Sequence, residues 1–293
     1  MILVTEQRVL GVVGAGTMGA GIAQTAARAG VPSVVVEADT AARQRAQSAI
    51  AAGIEKAHAK GSVASSVDQA IDSITWVDDI SALAEVHFVV EAIPEIREAK
   101  ESLFDQLDQV CSPTTILATN TSSIPIAAIA RATSHPERVL GLHFFNPVPA
   151  MPLVEVIPSL LTSDDVTDAA EQFIQEALGK ITIRAKDQAG FVVNAILVPY
   201  LLSAIRSFEN GVASAEDIDA GMVGGCGMPM GPLALCDLIG LDTMLFVADS
   251  LHAEYQDAAT IAPSLLRRHV DAGWLGKKTG RGFYDYTDSS KEG

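Results

Sequence analysis

Arg8-Val9-Leu10-Gly11-Val12-Val13-Gly14-Ala15-Gly16-Thr17-Met18-Gly19 is the stretch whose reading decides the fold, and Ala20 to Gly30 completes it. The first six residues read as a buried strand. Ala20 to Ala29 reads as an alanine-rich helix closed by Gly30. A lone G-x-G-x-x-G means little, but between a strand and a helix it predicts a dinucleotide-binding turn. Gly14 permits the tight turn, Gly16 lets a pyrophosphate approach the backbone, and Gly19 lets the helix pack close on the strand. Thr17 and Met18 lie within the motif, where the helix N-terminus faces the anion. A second strand, Ser33-Val34-Val35-Val36, is followed by Glu37. An acid there accepts from a ribose 2′-hydroxyl and repels a 2′-phosphate, so NAD is expected rather than NADP. Asp39 is the fallback for Glu37.

Further along, the apolar run Val139-Leu140-Gly141-Leu142 leads into His143-Phe144-Phe145-Asn146-Pro147. The Asn-Pro turn signal puts His143 at the carboxyl end of a strand, where open α/β sheets bind ligands. Histidine is the side chain best suited to moving a proton near neutral pH. Glu155 stands in a second apolar run, Leu153-Val154-Glu155-Val156-Ile157. A buried carboxylate needs a partner, and His143 is a candidate. By themselves the two residues fit a core histidine and an edge-strand glutamate equally well.

Residues 40–60 form a long helical stretch with few acids and with Arg43, Arg45, Lys56 and Lys60. Such a cluster is either a solvated face or a receptor for a phosphorylated tail. Strands are expected at 74–77, 87–91 and 115–119, with a helix opening at Pro94 and carrying Lys100. The last of these strands ends in Asn120-Thr121-Ser122-Ser123. Those hydroxyls either bond a substrate or cap the next helix, and spacing alone favours the cap. A helix over 164–178 and a strand over 181–183 follow. The alternation predicts an α/β fold over residues 1–187, a Rossmann-type doubly wound, mostly parallel sheet with room for a mixed edge. Residues 188–293 show only helical spacing, over 191–208, 215–223 and 233–252, which predicts a smaller all-helical domain.

The 293 residues suffice for two domains and a large core. With 20 Lys and Arg against 36 Asp and Glu, the net charge of −16 makes nucleic acid and anionic membranes poor partners. The three cysteines, Cys111, Cys226 and Cys236, have no metal spacing, so no metal is expected and a reducing compartment fits. Val9 to Ala23 is nearly all apolar, but five glycines interrupt it, and no apolar run reaches membrane-spanning length. A cytoplasmic protein is expected.

These motifs together resemble the L-3-hydroxyacyl-CoA dehydrogenases, particularly the bacterial 3-hydroxybutyryl-CoA dehydrogenases. The resemblance covers nearly the whole chain. It extends to Gly141 to Pro147, Gly190-Phe191-Val192-Val193-Asn194, Pro229-Met230-Gly231-Pro232 and Gly276 to Tyr284. It implies that His143 is the catalytic base, paired with Glu155, and that Ser122 and Asn194 contact the substrate oxygen. The last point reverses the cap reading of Ser122. It further implies that Glu95, Lys100, Asn120, Ser122 and Asn146 help hold NAD and that Lys60 contacts coenzyme A. An acyl-CoA substrate, a site in the cleft between domains and a homodimer through the helical domain are implied as well. The chain departs from the family's pattern at Ala195, where arginine is common, and at Glu37, where aspartate is common. Two other readings stand beside this one: a dehydrogenase of a small hydroxy acid such as L-gulonate, and a non-catalytic NAD-binding protein.

Overall fold

Leu10–Val13 (β1) is buried along its whole length, which suits a strand covered on both faces inside a parallel sheet. A computed structural model of the chain describes residues 8–63 and 65–287. They divide into two compact units, one ending at Gln188 and the other beginning at Ala189.

The first unit is an eight-stranded sheet in the order β3-β2-β1-β4-β5-β6-β7-β8. The other strands are Ser33–Val36 (β2), Ile74–Val77 (β3), Phe88–Glu91 (β4), Ile116–Thr119 (β5), Val139–Phe144 (β6), Leu153–Pro158 (β7) and Ile181–Arg184 (β8). From β1 the chain builds outward to β3, then crosses back to β4 on the other side of β1. That reversal opens a crevice at the carboxyl ends of β1 and β4. All pairings from β3 to β6 are parallel. At β7 the direction flips, and the antiparallel register sets His143 directly opposite Glu155. The doubly wound, mostly parallel sheet with a mixed edge is therefore as the sequence predicts.

Thr17–Ala29 (α1) follows β1 and ends at Gly30 in the left-handed region. Thr40–His58 (α2), Val67–Asp72 (α3), Arg97–Val110 (α4), Ile126–Ala130 (α5) and Asp164–Gln172 (α6) complete the unit. One face of the sheet packs Leu10 and Val12 against Ile22, Ala23 and Ala26 of α1. The other packs Val13 and Val89 against Phe104 and Leu107 of α4. The helix expected over 164–178 loosens after Gln172 into a π-helical turn, Phe173–Ala177.

The second unit is helical: Val193–Glu209 (α7), Ala215–Cys226 (α8), Pro232–Ile239 (α9), Leu241–Tyr255 (α10) and Ser264–Asp271 (α11). The single helix expected over 233–252 is two helices. Gly240, at φ 101 and ψ 127, breaks it in a conformation that a side chain disfavours. The short α11, a further helix not expected from the pattern, seats Leu266 in the core of this unit. After it, residues 276–287 hold one short 3-10 turn, Lys277–Thr279, and otherwise fold without helix or long strand onto two buried carboxylates. Phe283 N and Tyr284 N donate to Asp237, as does the Tyr286 hydroxyl, while the Tyr284 hydroxyl donates to Asp219. Burial pushes the Asp237 carboxyl above its ordinary value, against the pull of those bonds.

The glycine turn separates two kinds of glycine. A Cβ at Gly19 would lie 1.8 Å from Gly14 O, whereas one at Gly16 meets nothing within 4 Å. Gly19→Ala is therefore expected to destabilise the protein by about 1–3 kcal/mol, the usual cost of overpacking. Gly16→Ala should stay within about 0.5 kcal/mol of the parent. Denaturant unfolding of the two variants checks the pair, and equal losses would refute the distinction.

Candidate active site

The carboxyl ends of β1, β2, β4, β5 and β6 carry the side chains singled out from the sequence. Gly14, at φ 93, turns so tightly that a Cβ would strike Ala92 O, and Gly19 closes α1 onto the turn. No side chain caps the first turn of α1 and no acid lies in it. Its amides, with the open flank of Gly16, form a cradle for an anion. Thr17 and Met18 begin that first turn. Glu37, just past β2, accepts from Ala15 N and Asp39 N, both at 3.0 Å. Its carboxylate is thus anchored to the glycine turn itself. Asp39 is otherwise engaged, accepting from Ala42 N as the cap of α2.

The basic residues of α2 do not act together. Arg43 bonds Glu37 O and Val77 O, while Arg45 is exposed. Lys56, together with Lys60 just beyond the helix, turns instead to a groove of about 480 Å³. Gln24, Arg28, Pro147 and Pro149 also line it.

At the end of β4 lies a network that the sequence reading only half detected. Glu91 is fully buried and accepts from Ile93 N, the Thr119 hydroxyl and Lys100 Nζ at 2.5 Å. Lys100, whose ammonium is buried, also pairs with Glu95 at 3.3 Å. Glu95 in turn accepts from Ser122 N, Ser123 N and the Thr121 and Ser123 hydroxyls. Burial would raise the Glu95 pKa, but the Lys100 charge and these bonds outweigh it and hold the carboxyl below its ordinary value. The signal for Glu91 is an acid that closes an apolar run, weaker than that for Glu155, which stands inside one.

Ser122 does not cap the next helix. Asp187 does, accepting from Ile126 N and Ala127 N. Thr121 shapes the turn before it by accepting from Ile124 N. Asn120 accepts from Phe144 N and so ties the end of β5 to the end of β6. Asn146 is exposed, just beyond β6.

His143 Nδ1 lies 2.6 Å from Glu155 Oε2, with Glu155 fully buried and His143 nearly so. Phe145 packs edge-on to the imidazole, ring centres 4.7 Å apart. An ionised carboxylate can only accept, so Nδ1 donates and Nε2, on the far side of the ring, is the basic nitrogen. Asn194 belongs to the second unit, in the first turn of α7, and is partly buried. Among the described residues no group of three or more His, Cys, Asp or Glu is arranged to hold a metal ion. Among them, too, no helix is long and apolar enough to cross a membrane.

The chain is similar to known proteins along nearly its whole length. Residues 9–188 match the model of the 3-hydroxyacyl-CoA dehydrogenase NAD binding domain, and residues 190–286 match the C-terminal domain of the same family. The 3-hydroxybutyryl-CoA dehydrogenase of Mycobacterium tuberculosis H37Rv is 48% identical over 282 residues, 96% of this chain and 98% of that protein. The mitochondrial hydroxyacyl-coenzyme A dehydrogenase of Homo sapiens is 43% identical, over 94% of this chain and 90% of that protein. The crystal structure of (S)-3-hydroxybutyryl-CoA dehydrogenase from Ralstonia eutropha superimposes with a TM-score of 0.90 at 42% identity, covering 96% of this chain and 100% of that one.

The lowered pKa of Glu95 has a definite sign. Its contribution to stability is present above the unfolded carboxylate value, about 4.3, and is lost as pH falls through the lower folded value. Glu95→Gln should therefore melt below the parent at pH 7, with the gap closing as pH drops below about 4. Melting curves across that range test this, and a gap independent of pH would count against it.

Proposed function

The chain belongs to the 3-hydroxyacyl-CoA dehydrogenase family, and we propose that it interconverts an L-3-hydroxyacyl-CoA, above all 3-hydroxybutyryl-CoA, and the matching 3-ketoacyl-CoA with NAD. The observation that carries this reading is the buried His143–Glu155 pair at the carboxyl end of β6, on a dinucleotide-binding sheet. When bound, NAD⁺ supplies the acceptor for the hydride that leaves C3 of the substrate. His143 Nε2 takes the proton of the 3-hydroxyl in the same oxidation and returns it to the keto oxygen in reverse. Glu155 fixes the imidazole's orientation and stabilises the imidazolium as it forms. Ser122 and Asn194 are assigned to the substrate oxygen, where they orient the C–H bond.

The cofactor residues fit the group. The open flank at Gly16 and the uncapped first turn of α1 suit a pyrophosphate, with Glu37 placed to accept from the ribose. Glu95, Asn120 and Asn146 are assigned to the nicotinamide half, with Lys100 acting through Glu95 because its ammonium is buried. Lys60 is assigned to coenzyme A. The three cations along its groove support this in a chain of net charge −16. A homodimer through the helical unit is favoured by exposed apolar side chains there, among them Ile196, Leu238 and Phe246. All three cysteines are free thiols, which suits the cytoplasm.

NADH oxidation with acetoacetyl-CoA, set against longer 3-ketoacyl-CoAs and free 3-keto acids, tests the reading. Turnover of the free acids alone would overturn it.

His143→Gln should lower kcat by roughly 10²–10⁴-fold with NADH binding nearly intact. Glu155→Gln should lower kcat as well. Because the two act as a unit, the double variant should be little worse than His143→Gln alone. Losses that multiply would mean that Glu155 does not work through His143. Separately, NADH should be strongly preferred over NADPH, and Glu37→Ala should weaken NADH binding and narrow that preference. Equal use of both cofactors by the parent protein would refute the role of Glu37.

A further inference from the structure

In the loop that joins β6 to β7, residues 147–152 are held by two cations, Lys180, which the chemistry above does not use, and Arg28, which also lines the groove. Lys180, immediately before β8, sends Nζ back to Val148 O and Met151 O, 2.7 Å from each. Arg28, in the last turn of α1, donates from Nη1 to Pro149 O at 3.1 Å. Its Nε and Nη2 reach Ser62 O at 3.4 Å. Every acceptor is a backbone carbonyl. The Lys180 side chain is largely buried, and burial and the Arg28 charge both pull its pKa down. A buried ammonium beside a second, half-buried cation is an expensive arrangement, tolerable where the ammonium is well hydrogen-bonded.

The loop needs such holding. Pro147, Pro149 and Pro152 have no N–H, so no strand ladder can run through the segment. Its own bonds amount to one turn, with Ala150 N and Met151 N both donating to Pro147 O. One side of the loop rests on the glycine-motif helix. Val148 is buried there, and a Cβ added at Gly21 of α1 would lie 2.9 Å from Val148 Cβ. The other side is a wall, since Pro147, Pro149 and Ala150 line the groove that Lys56 and Lys60 also face. His143 and Glu155, by contrast, are set by the β6–β7 register and do not depend on where this wall stands.

We propose that Lys180 and Arg28 are positioning residues for the remote, phosphorylated end of the substrate: they clamp residues 147–152 onto α1 and thereby set the groove that receives it. The inference rests on the acyl-CoA reading. It adds two residues that touch neither cofactor nor reacting atoms, Lys180 acting through the backbone alone and Arg28 both through the backbone and as a cation of the groove wall.

Two thioesters separate this role from a general structural one: acetoacetyl-CoA, and acetoacetyl-N-acetylcysteamine, which lacks the phosphates. In Lys180→Met the KM for acetoacetyl-CoA should rise about tenfold while kcat shifts less than about twofold, the signature of lost ground-state binding. Arg28→Gln should raise the same KM. With the short thioester, Lys180→Met should match the parent. Lys180→Arg keeps the donors and should recover most of the loss. Equal losses on both thioesters, or an unchanged KM for acetoacetyl-CoA, would overturn the proposal. Hydrogen exchange reads the clamp without catalysis: the Ala150 and Met151 amides should exchange about tenfold faster in Lys180→Met. Unaltered exchange at those amides would also overturn it. A parent protein inactive on both thioesters would remove the acyl-CoA reading alone, and faster exchange would still uphold the clamp.

Discussion

The hydrogen bond between His143 and Glu155 depends on one topological event, the reversal of β7 against β6. Directly opposed residues of an antiparallel pair share a face of the sheet with their side chains in reach. A one-residue slip would turn Glu155 to the other face and leave a carboxylate buried in apolar surroundings. The neighbours in the two strands, Leu142, Phe144, Val154 and Val156, are all buried. They lie on the opposite face, packed with α1, so a slipped Glu155 would be a costly unpaired charge among them, while the pair itself is buried on its own face, where a bond is stronger than in water. The same apolar packing that stabilises the edge of the sheet therefore fixes the acid–base pair.

Charge is handled in two ways in this molecule. Where a carboxylate is buried near the crevice it is saturated with donors, as Glu91 is by an amide, a hydroxyl and an ammonium. Glu95 extends that network to the Asn120–Ser123 turn, so the β4–α4 loop braces the loop that follows β5. Along the groove the pattern is the opposite. Lys56, Lys60 and Arg28 gather along one groove of a strongly acidic chain.

What could be read in advance follows from which constraints are local. The strand–turn–helix of residues 8–30 was legible because the turn itself demands glycine at Gly14 and Gly19. Glu155 was legible as an acid inside an apolar run. Ser122 was misread by spacing because the true cap of α5, Asp187, is 61 residues away from Ile126 in sequence, beyond any local pattern. The break at Gly240 was hidden because a glycine within helical apolar spacing is often tolerated. The basic cluster splits because Lys56 on α2 and Lys60 in the turn just after it line one groove, whereas Arg43, a full helix away, reaches the carbonyls at the ends of β2 and β3.

The segment Gly276 to Tyr284 belongs to the family pattern, yet its residue types suggested no chemistry, and its contacts show why. A Cβ at Gly276 would lie 2.2 Å from Asp237 O, and one at Gly282 would lie 2.0 Å from Asp237 Oδ1. Both glycines are there to let an irregular stretch reach a buried carboxylate. Asp237 then takes the successive amides of Phe283 and Tyr284. Asp187 does the same for Ile126 and Ala127, and Asp219 for Leu233 and Ala234. In each case one aspartate satisfies two consecutive N–H groups that no helix or ladder supplies with acceptors. A chain end without regular structure is in this way held as firmly as a helix start, and a motif that looks functional by its glycines and aromatics is accounted for by backbone hydrogen bonding within the helical unit.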